Sequence, residues 1–582
     1  MASSDFNKIS SHCDVIIKIF KFLDTRDQVM LATVNNTLRR IFLDMVCPIN
    51  YETLIIKRFH RLIHANYIVS NNNCTNRHTV YGDDGLLKFL GCWGEIVHEL
   101  TTDNPVPMNY FPNLIKLNCE FERLIAEDIT QLVVNLPNLE DLEISAQKCK
   151  KTGDYMSADI IQELLRLTNL KRLELSTSDD SCNITFKDFR EIVTKLQLDI
   201  LELKVGILPE SNELEPLLPP PSLKHLAVTV DTENPGTFLN VLKNFDNLKT
   251  LEIEFVGEEM EPITNEFGAL TQLKNLSIFN TEFPYSTRSL ILPPNLATLR
   301  LIDCQNLTFD ALQEFLDENS QPQLTELFAM GTSFRIREFK ELKISSKIKN
   351  LFIKNFDLEQ FRSPFVTNSA LEQLELCNSH NLRIDALDSI RLSSLTFCQK
   401  LHTLDVFGQY LSLDTLLCLT NLKKLSIYVP VPEQWLYITR ILQELSSLRE
   451  LKVHQVLHRP GPYPPLPPAV VTNVVDLKVK TPRPDTSFTY DFWLDMFSLN
   501  PQLELKMNIS LYGRKRLRDF IECEKFPKDL KKIIIHGFTK DVDEVKRDSK
   551  SVYDDIHYFT DLNEYEVLDP DEYNIIMSRN IK

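Results

Sequence analysis

The residue types that perform catalysis are present in this chain, but they do not fall at catalytic spacings. The sequence contains no Gly-x-x-x-x-Gly-Lys-Ser/Thr phosphate loop, no Gly-x-Ser-x-Gly nucleophile turn and no His-Glu-x-x-His metal pair. Only 14 of the 582 residues are glycine, which leaves few places where the backbone could approach a phosphate. His225, His402 and His454 fall on or beside recurring strand segments, where an exposed or hydrogen-bonded role is expected. The pattern favours a non-enzymatic binding protein without a cofactor.

The twelve cysteines show neither a Cys-x-x-Cys pair nor the Cys/His spacing of a zinc site. We expect them to be buried small side chains in a reducing compartment, with no metal. The N-terminus lacks the basic and apolar regions of a secretory signal, and no apolar run approaches the ~18 residues of a membrane span. A cytoplasmic or nuclear location without a membrane partner is expected. The net charge of −17 disfavours a nucleic-acid partner.

One short phrase recurs every 21 to 31 residues: a leucine-like residue, two variable residues, a second leucine-like residue, one variable residue and a third leucine-like residue. Examples are residues 139–144 (LEDLEI), 170–175 (LKRLEL) and 448–453 (LRELKV). A fixed period of this length identifies a repeat array. Because one unit cannot bury its own apolar face, neighbouring units must stack, and the stack presents an extended surface suited to binding.

Within each phrase, the second and third apolar residues occupy the inward positions of a short strand, and the residues around them face outward. Stretches such as 308–316 and 437–445 predict helices between the strands. About sixteen or seventeen phrases lie between Leu114 and Ile535. At a strand spacing of ~4.8 Å, the face they form would be about 75–80 Å long.

The outward positions of the phrases supply the candidate target-binding residues. In early repeats these positions are mostly acidic, including Glu143, Glu174 and Glu252. In later repeats they are aromatic and basic, which are the types favoured at interface centres. Ordinary surface variation is the alternative interpretation. The predicted target-binding residues are Phe279, Arg300, Phe352, Phe407, Lys424, Tyr428 and Lys452.

Residues 15–42 predict three short helices, and their sequence resembles an F-box. The matching residues are Val15, Ile16, Ile17, Ile19, Phe20, Leu23, Leu31, Ala32, Val34, Arg39, Arg40 and Ile41. The chain departs from the family at two hallmark sites, with Ser11-His12 in place of Leu-Pro and Leu38 in place of Trp. The resemblance implies docking on a Skp-family adaptor through Ile16, Ile19, Phe20, Leu23, Val29, Val34 and Leu38.

The order of the segments strengthens this resemblance. Residues 87–97 resemble the entry repeat of F-box proteins with leucine-rich repeats, and residues 296–312 are similar to their cysteine-containing repeat. The expected fold class is therefore α/β: a curved leucine-rich-repeat solenoid with a parallel inner sheet and helices outside, preceded by a small three-helix F-box-like module.

Four segments are predicted: a helical module at 1–46, a connector and entry repeat at 47–110 with a loop at 70–77, the solenoid at 111–540, and an acidic tail at 541–582. The tail holds twelve acids against five bases, and its scattered aromatics suggest that part of it folds back over the last repeat. The proline-rich stretch 459–468 predicts a loop insertion, with a polyproline helix for an aromatic groove as the alternative.

The F-box and leucine-rich-repeat resemblance implies the substrate-receptor subunit of a Skp-cullin-F-box ubiquitin ligase. Its partners would be the Skp adaptor with its cullin complex, and a target protein on the concave face. Such a subunit accelerates transfer by proximity and contributes no acid, base or nucleophile. The alternative is an interaction scaffold whose degenerate F-box only caps the first repeat. An enzyme with an unrecognised site is the third possibility.

Overall fold

The structure is a computed structural model, and it divides into two compact units, which are described separately. Unit 1 is Met1–Glu282 with Leu290–Pro293, and unit 2 is Phe283–Ser289 with Pro294–Lys582. The described residues are 13–23, 31, 34, 36–41, 53–61, 64–70, 77–103, 105–152, 155–178, 182–208, 221–231, 235–256, 266–281, 291–305, 307–317, 319–330, 334–335, 342–354, 365–366, 370–377, 398–407, 413–429, 434–455, 469–480, 495–496, 498–500, 502–509, 532–537, 566–567 and 574–578.

Unit 1 alternates strands with short helices. Its strands are β1 Thr53–Arg61, β2 His64–Ser70, β3 Arg77–Tyr81, β4 Glu99–Thr102, β5 Lys116–Leu124, β6 Asp141–Cys149, β7 Lys151–Thr152, β8 Tyr155–Met156, β9 Arg172–Thr177, β10 Asn183–Thr185, β11 Ile200–Leu208, β12 His225–Asp231, β13 Thr250–Val256 and β14 Asn275–Phe279. Its α-helices are α1 Cys13–Phe22, α2 Asn36–Ile41, α3 Gly82–Trp93, α4 Ala126–Asn135, α5 Ala158–Leu164, α6 Phe186–Lys195 and α7 Pro235–Val241, with 3-10 turns at Gly94–Ile96, Met108–Tyr110, Leu242–Asn244 and Glu266–Ala269.

Unit 2 repeats the same organisation. Its strands are β15 Thr298–Ile302, β16 Leu307–Thr308, β17 Glu326–Met330, β18 Phe334–Arg335, β19 Leu342–Lys343, β20 Asn350–Lys354, β21 Phe365–Val366, β22 Gln373–Cys377, β23 Thr403–Phe407, β24 Lys424–Val429, β25 Glu450–Gln455, β26 Asp476–Lys480, β27 Glu504–Ile509, β28 Lys532–Gly537, β29 Glu566–Val567 and β30 Asn574–Ser578. Its helices are α8 Phe309–Leu316, α9 Leu413–Leu417 and α10 Gln434–Glu444.

Each unit is built on an open parallel sheet with one main strand per repeat. In unit 1 the parallel order is β1, β4, β5, β6, β9, β11, β12, β13 and β14. In unit 2 it is β15, β17, β20 and then β22 to β28 consecutively. Helices connect many of these strands and pack on one another, as α4 does on α5 and α9 on α10. The predicted leucine-rich-repeat solenoid fold is confirmed.

The core is formed by the apolar positions of the phrase. Leu142, Ile144, Leu173 and Leu175 are fully buried, while the residues that alternate with them on the same strands are at least partly exposed in most repeats. The helices contribute apolar side chains from the other side of this layer. In unit 1, for example, the rings of Phe186, Phe189 and Phe238 form a cluster with centroid separations of 5.8 to 6.4 Å. Stacked repeats therefore share one continuous core.

Two hydrogen-bond patterns link each repeat to the next just before the strand. One backbone carbonyl accepts two successive N–H groups of the following repeat: the Glu140 carbonyl accepts from the Lys171 and Arg172 amides, at 2.7 and 3.0 Å. An asparagine before the first leucine of a phrase also donates to a carbonyl of the preceding repeat, as Asn169 does to Pro137 at 2.8 Å. Asn113, Asn138, Asn247, Asn421 and Asn473 form equivalent bonds.

Antiparallel strands cover the outer edge of a parallel strand at both ends of the chain. In unit 1, β2 pairs antiparallel with β1 and β3 pairs with β2, so the parallel sheet begins within the segment predicted as a connector. In unit 2, β30 lies in the tail and pairs antiparallel with β28, the last parallel strand, as expected for a tail that folds back. Covered edges cannot template pairing with another chain. The proline-rich stretch 459–468 lies outside the described residues.

Candidate functional site

The open face of each sheet consists of the strand positions that alternate with the buried leucines. Because the strands are parallel and in register, these positions align across strands into rows. The middle row of unit 2 runs, in strand order, through Arg300, Phe328, Phe352, Glu375, Asp405, Ser426, Lys452, Lys478, Lys506 and Ile534. Neighbouring positions in such a row are ~4.8 Å apart.

An aromatic pair lies near the start of this row. The rings of Phe328 and Phe352 have centroids 5.6 Å apart and planes tilted by 46°. Both side chains are only partly buried, although they lie on the face opposite the apolar core. Ile302 and Met330, partly buried and adjacent in register on β15 and β17, extend the apolar surface. We call these four residues the aromatic patch.

Charged residues surround the aromatic patch. Arg300 is exposed and precedes Phe328 in the middle row, while Glu375 follows Phe352 and is partly buried. Glu326 lies two residues before Phe328 on the same strand. An apolar centre with a charged rim is the arrangement found at protein-protein interfaces.

Lysines occupy the far end of the middle row. Lys452, Lys478 and Lys506 hold the same register position on three adjacent strands. In the first row beside them, the Lys424 ammonium binds the Glu450 carboxylate at 2.7 Å. Lys424 is therefore already engaged in an ion pair and exposed, whereas Lys452 is partly buried. The middle row of unit 2 thus changes from aromatic to acidic to basic along its length.

The open face of unit 1 is acidic. Its middle row contains Glu143, Glu174 and Glu202 on adjacent strands. Arg172 connects them: its guanidinium lies 2.6 Å from Glu174, 3.2 Å from Glu202, 3.3 Å from Asp141 and 3.8 Å from Glu143. One cation therefore links carboxylates from three neighbouring repeats.

These ion pairs shift the ionisation of the cations. The hydrogen bond to Glu174 raises the pKa of Lys204, whose ammonium lies 2.6 Å from that carboxylate. Partial burial alone would lower the pKa of Arg172, but its hydrogen bond to Glu202 and the surrounding carboxylates outweigh burial and raise it. Both residues are held in their charged forms. The acidic row of unit 1 is consequently a partly neutralised structural network.

The structure brings together some of the predicted target-binding residues. Arg300, Phe352 and Lys452 share the middle row of unit 2, and Lys424 lies one row away. Phe279 belongs to unit 1, beside Glu254 in register. Phe407 and Tyr428 are on β23 and β24, and their side chains lie outside the described part of the structure.

Sequence reasoning missed Phe328. Its phrase, Leu324-Thr-Glu-Leu327-Phe328-Ala329, has alanine at the third apolar position, which weakens the repeat signal. The spacing of Leu324 and Leu327 still matches the phrase, and this spacing puts Phe328 at the same outward position as Phe352.

The predicted adaptor-docking residues fall into two groups. Ile16, Phe20 and Leu38 are buried within the chain, and α1 contacts α2. Ile19 and Val34 are 40% and 60% exposed, and Leu23 is partly buried. Val29 lies outside the described residues, as does most of the predicted middle helix. Docking on an adaptor stays a prediction.

Five of the six cysteines that the structure describes as free are buried, as expected, and Cys418 is exposed. Burial, with added repulsion from Asp128 and Glu143, raises the pKa of the Cys119 thiol far above its ordinary value. Within the described residues, no group of His, Cys, Asp and Glu is arranged to hold a metal ion. The same residues include no helix with the length and apolar character needed to cross a membrane.

Comparison with solved structures finds three similar folds, all at low identity. They are the TLR13-ssRNA13 complex (13% identity, 73% of this chain and 72% of that one, TM-score 0.37), the mouse RP105/MD-1 complex (14%, 70% and 79%, 0.33) and Leptospira interrogans LRR protein LIC12759 (14%, 72% and 91%, 0.29). No protein-family profile and no curated protein matches the chain. The fold assignment therefore rests on the strand register of the chain itself.

Proposed function

We propose that this chain is a non-catalytic receptor that binds a target protein on the open face of unit 2, with the aromatic patch at the centre of the contact. The observation that carries the proposal is the tilted pair of Phe328 and Phe352 on the side of the sheet away from the core. Large side chains at a partly solvated position cost free energy unless a partner covers them.

The chemistry around the pair supports this assignment. Binding energy at protein interfaces is concentrated in a few aromatic and arginine side chains surrounded by polar residues. Arg300, Phe328 and Phe352 provide this combination on three adjacent strands. The rigid sheet fixes their spacing before binding, which lowers the entropy lost on association.

We further propose that the target is delivered to a ubiquitin-transfer machinery. The support is the F-box resemblance of residues 15–42, which precede the repeats as in F-box proteins with leucine-rich repeats. Ile19 and Val34, with 40% and 60% exposure, are the side chains best placed to contact a Skp-family adaptor. Acceleration would come from holding the target near the conjugating enzyme, without chemistry by this chain.

A second function is favoured by the burial of Ile16, Phe20 and Leu38. Apolar residues buried within the chain are not available to an adaptor, and terminal repeats require a cap. On this alternative the chain is an interaction scaffold, and α1 and α2 serve only to shield apolar residues at the N-terminal end. The two functions share the target-binding face and differ only in the adaptor.

The target-binding proposal is tested by affinity purification with mass spectrometry. Each phenylalanine at an interface centre contributes about 2 kcal/mol or more, so Phe328→Ala combined with Phe352→Ala should remove the specific target set. The matched control is Val134→Ala with Val256→Ala, which truncates two exposed apolar residues of unit 1. An unchanged target set in the phenylalanine variant would exclude the aromatic patch.

The adaptor proposal is tested with exposed residues, so that loss of binding does not reflect unfolding. Ile19→Asp with Val34→Asp should abolish co-purification of a Skp-family adaptor and leave the melting temperature unchanged. Val134→Asp, at a position with 65% exposure, is the control for an added surface charge. Failure of the unmodified chain to retain the adaptor would favour the scaffold.

A further inference from the structure

Ser426 has a hydroxyl group that the fold leaves without a partner. The residue is 7% exposed, and its Oγ is buried and makes no hydrogen bond within the described part of the chain. It belongs to the middle row of unit 2, between Asp405 and Lys452 in register. A buried donor left unsatisfied costs about 1–3 kcal/mol, so such a group is expected to serve a further purpose.

Lys452, the next residue of the row, is partly buried and forms no ion pair with the residues that the structure describes. The nearest acidic position on its own strand, Glu450, is already engaged, because its carboxylate binds Lys424 at 2.7 Å. A partly desolvated ammonium with no opposing charge therefore lies beside a hydroxyl with no acceptor. Both groups are donors, and both would be satisfied by one anion.

The row continues with two more lysines, which makes the site larger than a single ammonium. Lys478 and Lys506 occupy the register positions after Lys452, ~4.8 Å apart on consecutive strands. Like charges directly opposite one another destabilise a sheet. Three lysines in one row, in a chain of net charge −17, are therefore a feature that an anionic partner would stabilise.

The surrounding positions determine where the anion can bind. Asp405 precedes Ser426 in the row, and the first row holds Glu450, Asp476 and Glu504. The third row holds His454 and Lys480. The acidic positions lie on two sides and the basic positions on the third, so the site is open to an anion over positions 452 and 478.

We propose that this site binds a phosphorylated serine or threonine in an extended segment of the target protein. A phosphate monoester carries nearly two negative charges and three acceptor oxygens, which suits several ammonium groups and one hydroxyl better than a single carboxylate does. The inference deepens the proposed function and rests on it, since it specifies the class of target that the open face of unit 2 selects.

The first test measures binding of short, randomised, fluorescent peptide pools to the full chain, with a central phosphoserine, serine or glutamate. The phosphoserine pool should bind at least about tenfold more tightly than either of the others, equal to ~1.4 kcal/mol. Lys452→Gln with Lys478→Gln should remove this preference. Lys249→Gln with Lys274→Gln, which removes two exposed lysines of unit 1, should preserve it.

The results on the three pools are decisive in either direction. Equal binding of the glutamate and phosphoserine pools would overturn selection of a phosphate. Equal loss in the two lysine variants would overturn the site, because the attraction would then be a property of the whole surface charge.

Ser426→Ala provides a second readout that a structural serine would not give. Removing an unsatisfied buried hydroxyl should leave the melting temperature unchanged or raise it, while affinity for the phosphoserine pool falls about three- to tenfold. A lowered melting temperature would show that the hydroxyl is satisfied within the fold, and would contradict the proposal. Unchanged affinity would also contradict it.

The two proposals can fail separately. Loss of the target set in the Phe328 and Phe352 variant, with no preference among the peptide pools, would retain target binding by unit 2 and remove phosphate recognition. A phosphoserine preference in a chain whose target set is unaffected by the phenylalanine variant would retain the phosphate site and remove the aromatic patch.

Discussion

The Cα of Gly94 faces the backbone of Tyr110 so closely that a Cβ at position 94 would lie 2.8 Å from the carbonyl carbon of Tyr110 and closer still to its oxygen. Gly94 begins the turn Gly94–Ile96, after α3, and Tyr110 ends the turn Met108–Tyr110. Glycine is thus required here for close approach of two backbone segments, because a backbone carbonyl cannot rotate away as a side chain can.

Gly94→Ala should therefore lower the free energy of unfolding by about 1–3 kcal/mol. Gly91→Ala is the matched control, because a Cβ there would lie at an ordinary 3.7 Å from the Tyr110 ring and the residue is helical. The control should be neutral or stabilising by up to about 1 kcal/mol. Denaturant unfolding of both variants checks this, and equal stabilities would contradict the close approach.

Asn500 should be among the most sensitive polar residues of unit 2. It is fully buried, its Oδ1 accepts from the Thr472 amide, and its Nδ2 donates to the Val470 and Met496 carbonyls, all at 2.8 Å. Asn500→Ala leaves these groups unsatisfied and should cost about 2–4 kcal/mol. Hydrogen exchange at the Thr472 amide should accelerate in parallel.

The control for Asn500 is Asn473→Ala, which removes one exposed bond to the Ser446 carbonyl at 2.9 Å. It should cost about 0.5–1.5 kcal/mol. A similar loss in both variants would mean that burial of the Asn500 amide has no special weight.

Arg172→Met should destabilise unit 1 by about 1–3 kcal/mol, a value reduced from that of a fully buried pair because the guanidinium is partly exposed. Without the cation, the neighbouring carboxylates of Glu143, Glu174 and Glu202 repel one another. The deficit should shrink as salt is added, because salt screens this repulsion. Unfolding at low and high ionic strength measures the effect.

Lys171→Met is the comparison for Arg172, since Lys171 forms an exposed pair with Glu140 at 2.6 Å. It should change stability by less than about 1 kcal/mol. A salt-independent loss in Arg172→Met would indicate lost packing of the arginine stem as its cause.

Removal of residues 565–582 should cause self-association, because it uncovers the edge of β28 that β30 occupies. Removal of residues 579–582 alone retains β30 and should leave the chain monodisperse. Sedimentation velocity distinguishes the outcomes. A monodisperse longer truncation would show that the β28 edge needs no cover.

Much of the fold could be predicted from the phrase, because a leucine such as Leu173 must be buried wherever the period of two is kept. Strands β1 to β3 could not be predicted from it, since β1 (Thr-Leu-Ile-Ile-Lys-Arg-Phe-His-Arg) carries no full phrase and its pairing with β2 is antiparallel. Tertiary pairing rather than local pattern determines that part of the sheet.

The candidate site was predicted in part for the same reason. The outward positions of Arg300, Phe352 and Lys452 follow from alternation along a strand. The state of Ser426 does not, because its burial and its unsatisfied hydroxyl depend on neighbouring strands that lie more than twenty residues away in sequence. The engagement of Lys424 by Glu450 likewise depends on register.

The register of the parallel strands gives recognition by unit 2 a discrete ruler. The distance along the row from Phe352 to Ser426 is fixed by the number of intervening repeats, here those carrying Glu375 and Asp405. Duplication or loss of one repeat would shift the aromatic and basic ends relative to each other by one step of ~4.8 Å and leave each end intact. Target preference in such a chain can evolve by counting repeats, independently of any substitution at the contacts themselves.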